Sequence, residues 1–499
     1  MNKLSRLTRN SLTIAFLFLF DKVIAFYRTR IITTQYSTDV QLLDTFNAAN
    51  NLPDVLFALI SGGALAMAFI PLLTEYLTTK DRAAAWDLFS RVANVAFLVT
   101  TSFAIVISIF AVPIAKLGIA PGFSDEQLAL LAELMRLNLI GTVIFSVSGL
   151  VAASLQANQH FIFPALAPSL YNVGQIIGAI YFVPRFGIRG LVYGVILGAA
   201  FHLLIQLPAL FKFGFRWTPS LDIRHTGLIE ALKLMAPRLL TMGGIQFIVL
   251  ARDNLASRLD QVGAVSSLTY GWMIMQVPET ILGTAIATAM LPTLSEFAAR
   301  GDWAGFRSTI ERALRVLISL TIPIAAVMSA GIHPLVRGFF GFDEATSTLV
   351  TWTTRAYLMT LTGFTIHEIA ARSFYARKEP MFPLYAVILR LIMFLGIGAA
   401  GLIFFREIGA PVIAFAEIAL LIEAIILFGW LSKRTHEPIH VGGAVIKGLV
   451  AAVVGGVITY FIALYLPGGA IVTALIGMFI GGLAALAIVW SDAKQIFNL

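Results

Sequence analysis

The chain has 499 residues, of which 58% are hydrophobic and only 12% are charged. Soluble globular proteins carry about 25% charged residues, so this composition excludes an ordinary soluble protein. The absence of cysteine excludes disulfides and thiol catalysis. Apolar stretches of about 20 residues, long enough to cross a bilayer core of roughly 30 Å, recur along the chain. We therefore predict an all-α polytopic membrane protein, in which the net charge of +8 sets topology rather than binding nucleic acid.

About fourteen transmembrane helices are predicted, because a helix satisfies its own backbone hydrogen bonds in lipid. They begin near residues 12, 42, 89, 129, 161, 188, 233, 263, 308, 347, 382, 410, 443 and 469. The first follows Lys3, Arg6 and Arg9 and lacks a small-residue cleavage site, which favours a retained helix over a signal peptide. The N-terminus and inner loops hold fifteen Lys and Arg residues against six in the outer loops, so both termini are predicted to be cytoplasmic.

Span one carries several charges for a membrane helix. Asp21, Arg28 and Gln35 recur every seven residues and share one helical face, and Lys22 lies close to that face. Each Asp, Lys or Arg near the bilayer midplane costs about 2.5–3.5 kcal/mol. This helix should therefore face protein or water rather than lipid.

Span two continues the polar pattern at helical spacing, through Asp44, Asn47, Asn50, Asn51 and Asp54. Two interpretations remain open. The polar residues of spans one and two line a hydrated cavity that meets a substrate, or the aspartates only neutralise the neighbouring basic residues.

Prolines are expected to distort spans two and eight, since proline removes a helical hydrogen bond. Pro53 and Pro71 belong to span two, and Pro278 and Pro292 belong to span eight. Beside Pro53, the pair at positions 62 and 63 (Gly-Gly) is either a hinge or a packing site. Two glycine patterns in spans five and six predict close helix packing: Gly174 with Gly178, and Gly190 with Gly194 and Gly198.

The chain repeats itself with a period of about 220 residues. Residues 70–118 align with residues 291–339 at an offset of 221, which matches Asp81 with Asp302. At an offset of 219, Ser154 matches Ser373. Six spans per repeat is an even number, so the halves are predicted to be parallel repeats, as in transporters that work by alternating access. The predicted divisions are a six-helix lobe at 1–217, a second at 218–435, and two further helices at 436–499.

The second half carries its own polar residues within predicted spans. Arg252 and Asp253 are either an interfacial pair or part of a cavity, and Gln276 and Glu279 flank Pro278. Structural pairing is favoured for the ionisable residues of spans ten to twelve, namely His367, Glu368, Arg372, Arg390, Glu417 and Glu423. No catalytic or metal site is predicted, because the zinc-like start at His367 lacks a second histidine at Ala371.

Several stretches together carry a family pattern. They are SLQANQHFIFPALAPSLYNVGQIIG at 154–178, FGIRGLVYGVILGAAFHLLIQLPAL at 186–210, and shorter segments at 52–53, 68–71, 75–76 and 290–295. These stretches closely resemble the lipid II flippase family MurJ of the MOP exporter superfamily. The resemblance covers nearly the whole chain, including the two C-terminal spans.

The resemblance implies two six-helix repeats in a V-shaped MOP-type arrangement, plus two C-terminal helices that hold a lipid tail. It implies a flippase of the bacterial cytoplasmic membrane, acting in peptidoglycan biosynthesis. Its substrate would be lipid II or a related polyprenyl-pyrophosphate-linked precursor, moved from the inner to the outer leaflet. The residues expected at the substrate site are Arg28, Lys22, Asp44, Asn51, Asp54, Arg252, Gln276 and Glu279.

The sequence departs from the family pattern at basic positions. Phe57 and Asn51 stand where the family has an arginine and a lysine in span two. Met273 and Gln276 replace an arginine and a glutamate in span eight. This depletion keeps two alternatives open: an ion-coupled exporter of drugs or cations that uses the membrane aspartates, and a pseudo-flippase that binds lipid precursors without moving them.

No cofactor is expected, and transport would draw on a sodium gradient, a proton gradient or the membrane potential. The expected partners are the lipid-linked oligosaccharide precursor, membrane lipids, and proteins of cell-wall synthesis or division.

Overall fold

The structure of the protein is a computed structural model. It describes residues 6–59, 64–222, 224–379, 381–435 and 439–495. Every regular element within these ranges is helical. The chain forms two compact units, which we name unit 1 (Met1–Leu250) and unit 2 (Ala251–Leu499). The sequence-based divisions at 217/218 and 435/436 remain predictions.

Unit 1 contains helices α1 to α10 and the first part of α11. Their bounds are α1 (Arg6–Gln35), α2 (Val40–Phe57), α3 (Ala64–Thr79), α4 (Arg82–Ile109), α5 (Ala111–Ile114), α6 (Asp125–Ala157), α7 (Ile162–Ile177), α8 (Val183–Phe186), α9 (Arg189–Leu204), α10 (Leu207–Lys212) and α11 (Thr226–Ser257). The segments Ala115–Ile119 and Gly178–Phe182 are π-helical.

Unit 2 contains the end of α11 and ten further helices. Their bounds are α12 (Ala264–Pro278), α13 (Ala285–Arg300), α14 (Trp303–Phe340), α15 (Glu344–Leu358), α16 (Leu361–Ala376), α17 (Met381–Phe404), α18 (Ala410–Phe415), α19 (Ile418–Ser432), α20 (Gly442–Tyr465) and α21 (Ala470–Ala493). Glu279–Thr284 is π-helical, and Arg406–Ile408 is a short 3-10 helix.

Nine helical stretches in the described ranges are long and apolar enough to cross a membrane: Arg82–Ile109, Asp125–Ala157, Ile162–Phe186, Arg189–Lys212, Trp303–Phe340, Met381–Phe404, Ala410–Ser432, Gly442–Tyr465 and Ala470–Ala493. The other long helical passes are more polar or interrupted: α1, α2 with α3, α11, α12 with α13, and α15 with α16. The total is consistent with the predicted count of about fourteen.

Each unit has its own apolar core. In unit 1, helices α3, α4 and α6 pack around Phe69, Trp86 and Leu150. In unit 2, α14 and α16 pack with α13 and α19 around Phe306 and Phe374. These buried rings and aliphatic chains fix the helices that carry the polar side chains described below.

The internal repeat is visible in how equivalent helices begin. The carboxylate of Asp81 accepts the backbone N–H of Ala84 at 2.7 Å and caps α4. Its repeat partner Asp302 accepts the backbone N–H of Gly305 at 2.8 Å and caps α14. Each cap satisfies an N–H that has no partner inside the helix, which contributes about 1 kcal/mol. The match of Asp81 with Asp302 is therefore conserved in structural role.

The repeat is also visible in a strained turn. Gln159 and Lys378 both have φ of 60°, and they stand 219 residues apart, the offset that aligns this part of the halves. The residue after each donates its N–H to the carbonyl five residues earlier, at 2.8 Å and 2.9 Å. The two loops therefore have the same backbone turn, although neither places glycine at the left-handed position.

The predicted glycine packing is confirmed between α7 with its π-helical extension and α9. A Cβ on Gly178 would lie 2.5 Å from the Cα of Gly194, and one on Gly194 would lie 2.8 Å from the Cα of Gly178. The C-terminal pair α20 and α21 is equally close, since a Cβ on Gly455 would lie 2.8 Å from the carbonyl oxygen of Gly481. Small residues allow these membrane helices to approach backbone to backbone.

The predicted distortion of span eight is confirmed at Pro278. Helix α12 ends at this residue, and the π-helical segment Glu279–Thr284 follows directly before α13 begins. Proline lacks the N–H that would continue the α-helical pattern, and a π-helical turn accommodates the change. Pro53 lies buried inside α2. The predicted hinge at positions 62 and 63 falls outside the described residues.

Candidate functional site

The face of α1 that the seven-residue spacing defines packs against α7. The side-chain amide of Asn172 on α7 joins two residues of that face. Its Nδ2 donates to Asp21 Oδ1 at 2.9 Å, and its Oδ1 accepts from Arg28 Nη1 at 2.9 Å. Two turns further along α1, Gln35 Nε2 donates to the carbonyl oxygen of Ala179 at 2.7 Å. Three residues along one face of α1 therefore form hydrogen bonds with α7 or its π-helical extension.

Asn172 fixes the geometry of both charged groups. Its side chain is 5% exposed, so its rotation is restricted. Because an amide has one acceptor end and one donor end, the donor end faces the Asp21 carboxylate and the acceptor end faces the Arg28 guanidinium. Arg28 also donates from Nη2 to Thr29 Oγ1 at 3.4 Å. The uncharged amide of Asn172 therefore fixes the orientation of the Arg28 guanidinium.

The polar strip of α2 divides between buried and exposed positions. Asp44 is buried at 4% exposure, whereas Asp54 is exposed. Asn50 Oδ1 accepts from Asn138 Nδ2 at 2.6 Å, which ties α2 to α6. Asn51 is half-buried. The strip therefore serves packing at its first turns and presents a carboxylate near its end.

Three polar side chains of unit 1 interact electrostatically, namely those of Arg28, Asp54 and Tyr171. The charge of Arg28 acts on Asp54, and both charges act on the hydroxyl of Tyr171. The ring of Tyr171 meets Phe145 edge to face at 5.1 Å, and Phe145 meets Phe57 in the same way at 4.9 Å. Phe57, Phe145 and Tyr171 thus form an aromatic wall in unit 1.

Sequence reasoning missed Tyr171 and Asn172. Both lie in the family-like stretch at 154–178, where an asparagine within an apolar helix was the available signal. Lys22, which sequence reasoning included, is exposed and next to Asp21 in the chain. Within unit 1 the structure brings together Asp21, Arg28 and Asp54 with the two missed residues.

The expected residues of unit 2 occupy different surroundings. Arg252 Nε donates to Asp253 Oδ1 at 2.8 Å, and these residues are only 7% and 0% exposed. Arg390 Nη2 donates to Glu417 Oε2 at 2.7 Å, in a second buried pair whose glutamate also interacts with Arg252. Structural pairing was predicted among the ionisable residues of spans ten to twelve, and this contact confirms it for Arg390 and Glu417. Arg252 lies in this buried charge network, so a substrate would reach it only after a local rearrangement.

Span eight separates its two expected residues. Gln276 is exposed, whereas Glu279 is 9% exposed and starts the π-helical segment. Glu279 accepts from Thr284 Oγ1 at 2.8 Å and from Thr280 Oγ1 at 3.2 Å. Arg372 on α16 interacts with Glu279 and also pairs with Glu368, as predicted.

The sequence matches one family over most of its length. A model of the family described as lipid II flippase MurJ matches residues 39–480. The chain is 29% identical over 398 residues to the lipid II flippase MurJ of Burkholderia cenocepacia, covering 78% of this chain and 77% of that protein. It is 26% identical over 465 residues to the probable lipid II flippase MurJ of Vibrio cholerae, covering 89% and 88%.

The chain belongs to the lipid II flippase MurJ family. Its fold agrees with this membership. A solved lipid II flippase MurJ in an inward closed conformation matches with a TM-score of 0.80 at 22% identity, covering 97% of this chain and 98% of that one. A multidrug resistance MATE family transporter of the MOP superfamily matches with a TM-score of 0.69 at 15% identity, covering 83% and 94%.

Membership in the MurJ family makes this protein a transporter rather than an enzyme. Its repeated apolar helices and its bacterial relatives place it as a multi-pass protein of the bacterial inner membrane. Arg28, one of the residues expected at the substrate site, is the residue that the structure holds through Asn172.

Proposed function

We propose that this protein is a flippase that moves lipid II, or a related polyprenyl-pyrophosphate-linked precursor, from the inner to the outer leaflet by alternating access. Membership in the MurJ family supports the substrate class. The observation that carries the proposal in this chain is the Arg28 guanidinium, held by the buried amide of Asn172 on a charged membrane helix.

The chemistry of Arg28 suits a pyrophosphate. A guanidinium offers five N–H donors in a planar fork and stays charged, which favours phosphate oxygens over neutral ligands. A charged arginine within a membrane helix is costly, so its retention indicates a functional role. Asn172 is uncharged, so its hydrogen bond orients the guanidinium without removing its charge.

The membrane potential is the proposed driving force for net export. An anionic headgroup that moves outward from a negative interior gains about 2.3 kcal/mol per charge per 100 mV. A pyrophosphate-linked substrate therefore moves down its electrical gradient without a nucleotide-binding domain. A cation gradient is the alternative source of energy.

Translocation in vesicles tests the proposal. Wild-type protein reconstituted with fluorescent lipid II should deliver the label to the opposite leaflet, and Arg28→Ala should reduce the rate at least about tenfold, the equivalent of 1.4 kcal/mol. Arg28→Lys, which keeps the charge and loses the fork, should be intermediate. Arg300→Ala is the matched control, because Arg300 pairs with Glu296 on an exposed helix face. Equal rates for all four proteins would refute a role for Arg28.

An ion-coupled exporter of organic cations is the second candidate function. The exposed Asp54 carboxylate favours it, together with the MATE-like fold. Efflux of a fluorescent organic cation, driven by a sodium or proton gradient and lost in Asp54→Asn, would support this candidate. Precursor binding without translocation in the same vesicles would instead support a pseudo-flippase.

Both termini are proposed to be cytoplasmic, with proteins of cell-wall synthesis or division as partners. The basic inner loops support the orientation. Because the chain has no cysteine, single cysteines can be introduced near each end and labelled from one side of intact cells. Labelling of either end by an impermeant reagent in intact cells would contradict this orientation.

A further inference from the structure

Unit 2 contains a buried carboxyl group beside a histidine, at the contact between α16 and α19. Glu423 on α19 is 0% exposed, and its Oε1 lies 3.0 Å from Nδ1 of His367 on α16. The His367 side chain is 12% exposed. Neither carboxylate oxygen of Glu423 accepts a hydrogen bond within the described ranges, although the distance to His367 would allow one.

Burial restricts the protonation states that this pair can adopt. An isolated carboxylate in an apolar interior costs far more than a neutral or paired group. With one proton the pair has no net charge, whether the proton resides on the histidine or on the carboxyl. Without that proton it carries one negative charge inside the helical core. A proton shared by the two groups therefore removes a net charge from the packed contact of α16 and α19.

The charged residues on the helices that neighbour this pair have partners other than His367 and Glu423. The elements that pack most closely against α16 or α19 are α13, α14, α17 and the π-helical segment Glu279–Thr284, and Trp272 of α12 also meets Phe364 of α16 edge to face at 5.2 Å. Their ionisable residues, and those beside the pair in the chain, have other partners: Arg390 with Glu417, Glu368 with Arg372, Glu279 with Thr280 and Thr284, Arg307 and Arg315 with Glu311, Arg300 with Glu296, His333 and Arg337 with Glu344, and Arg312 with a further partner. Among the described residues, His367 is the one cationic side chain within 4.0 Å of Glu423.

Unit 1 builds the equivalent helix contact from neutral groups. Ser148 on α6 stands 219 residues before His367, and its Oγ lies 2.6 Å from Nδ1 of His202 on α9. His202 lies on α9, and the contact of α9 with α6 in unit 1 corresponds in chain order to the contact of α19 with α16 in unit 2. Gln206 completes the unit 1 contact, donating to Ser148 Oγ at 3.1 Å. Packing of these two helices therefore does not require a carboxyl group. The presence of the buried Glu423 in unit 2 is not explained by packing alone.

We propose that His367 and Glu423 form a proton-binding site in unit 2. The proton is held on Oε1 of Glu423, which donates it to Nδ1 of His367, and it is taken from and returned to water through the partly exposed histidine. No bond other than the N–H or O–H bond of that proton forms or breaks. Coupling of this proton to transport rests on the proposed flippase function, whereas binding of the proton does not.

Infrared spectroscopy of the protein in lipid vesicles tests the site directly. Difference spectra between acidic and alkaline buffer should contain a carboxyl C=O band in wild type that is lost in Glu423→Gln. This substitution is nearly isosteric and removes a buried charge, so it preserves the fold. His367→Gln should keep the band but change the pH range over which it appears. Ser148→Ala, the matched variant in unit 1, should leave the band unchanged.

The two proposals can fail separately. If the Glu423→Gln spectrum equals that of wild type, the proton site is refuted whatever the transport result. If the band behaves as expected but wild-type vesicles do not translocate lipid II, the proton site stands and the flippase proposal fails. If both hold, a pH gradient should change the wild-type translocation rate and leave the rate of Glu423→Gln unchanged. An equal response in both proteins would refute coupling.

Discussion

The Arg28 guanidinium donates to the Asn172 side-chain amide at 2.9 Å, across 144 residues of sequence. This contact joins a charged membrane helix to α7 and gives the charge a defined direction. The same amide donates to Asp21, so a single neutral residue keeps an acid and a base of one helix in separate hydrogen bonds.

Asn172→Ala should impair both stability and transport. A buried hydrogen bond to a charged group contributes about 1.5–3 kcal/mol, and the substitution removes one to each of two charges. We expect a lower melting temperature and at least about a tenfold loss of lipid II translocation at a temperature where the variant remains folded. Unchanged transport would show that Arg28 does not need this orientation.

The left-handed turns predict stabilising substitutions. The left-handed conformation costs a residue with a Cβ atom about 1–2 kcal/mol of steric strain, which glycine avoids. Glycine in turn loses more backbone entropy on folding, and in a helix or strand this costs about 0.5–1 kcal/mol relative to alanine. Gln159→Gly and Lys378→Gly should each raise the free energy of unfolding by up to about 1 kcal/mol. Asn158→Gly is the control, because Asn158 has φ of −83° and gains no relief. Destabilisation by both test variants would contradict the strained turn.

The buried Arg390–Glu417 pair should be sensitive to the loss of one partner. Glu417→Gln leaves a buried guanidinium without its counter-charge, which costs about 3–5 kcal/mol. Replacing both residues with methionine should restore most of that stability, since apolar replacements of buried pairs are often neutral. Thermal unfolding of the three proteins in the same detergent measures this. Similar melting temperatures for wild type and Glu417→Gln would contradict the buried pair.

His160 predicts a loss of stability on the acid side. Burial and the charge of Lys212 lower the pKa of this loop histidine below its ordinary value of about 6.5. The folded protein thus binds this proton more weakly than the unfolded chain does, and stability falls as pH drops below about 6.5. Unfolding measured between pH about 7.5 and about 5 should show a smaller loss for His160→Phe, which keeps an aromatic ring against Phe163 and Phe213. Equal losses would contradict this prediction.

Helical periodicity was sufficient to predict the polar face of α1. Asp21, Arg28 and Gln35 lie on it because seven residues make about two turns, and all three contact residues of α7 or its π-helical extension. Their partner Asn172 was not predictable in the same way, because periodicity within one helix does not identify its neighbour.

The second half shows the same limit. Pairing among the ionisable residues of spans ten to twelve was predicted, and the contacts Arg390 with Glu417 and Glu368 with Arg372 confirm it. The burial of Glu423 depends on tertiary packing of α16 on α19, and only the repeat comparison shows that packing alone does not demand an acid there. The π-helical turn after Pro278 was likewise expected only as an unspecified distortion.

Native mass spectrometry of the purified protein with its retained lipids tests most directly whether Arg28, oriented by Asn172, binds the pyrophosphate of a lipid-linked precursor. Wild type and Arg300→Ala should carry a polyprenyl-pyrophosphate-linked saccharide, and Arg28→Ala should carry little or none. Equal amounts on Arg28→Ala and wild type, or no such lipid on wild type after addition of lipid II, would contradict this role.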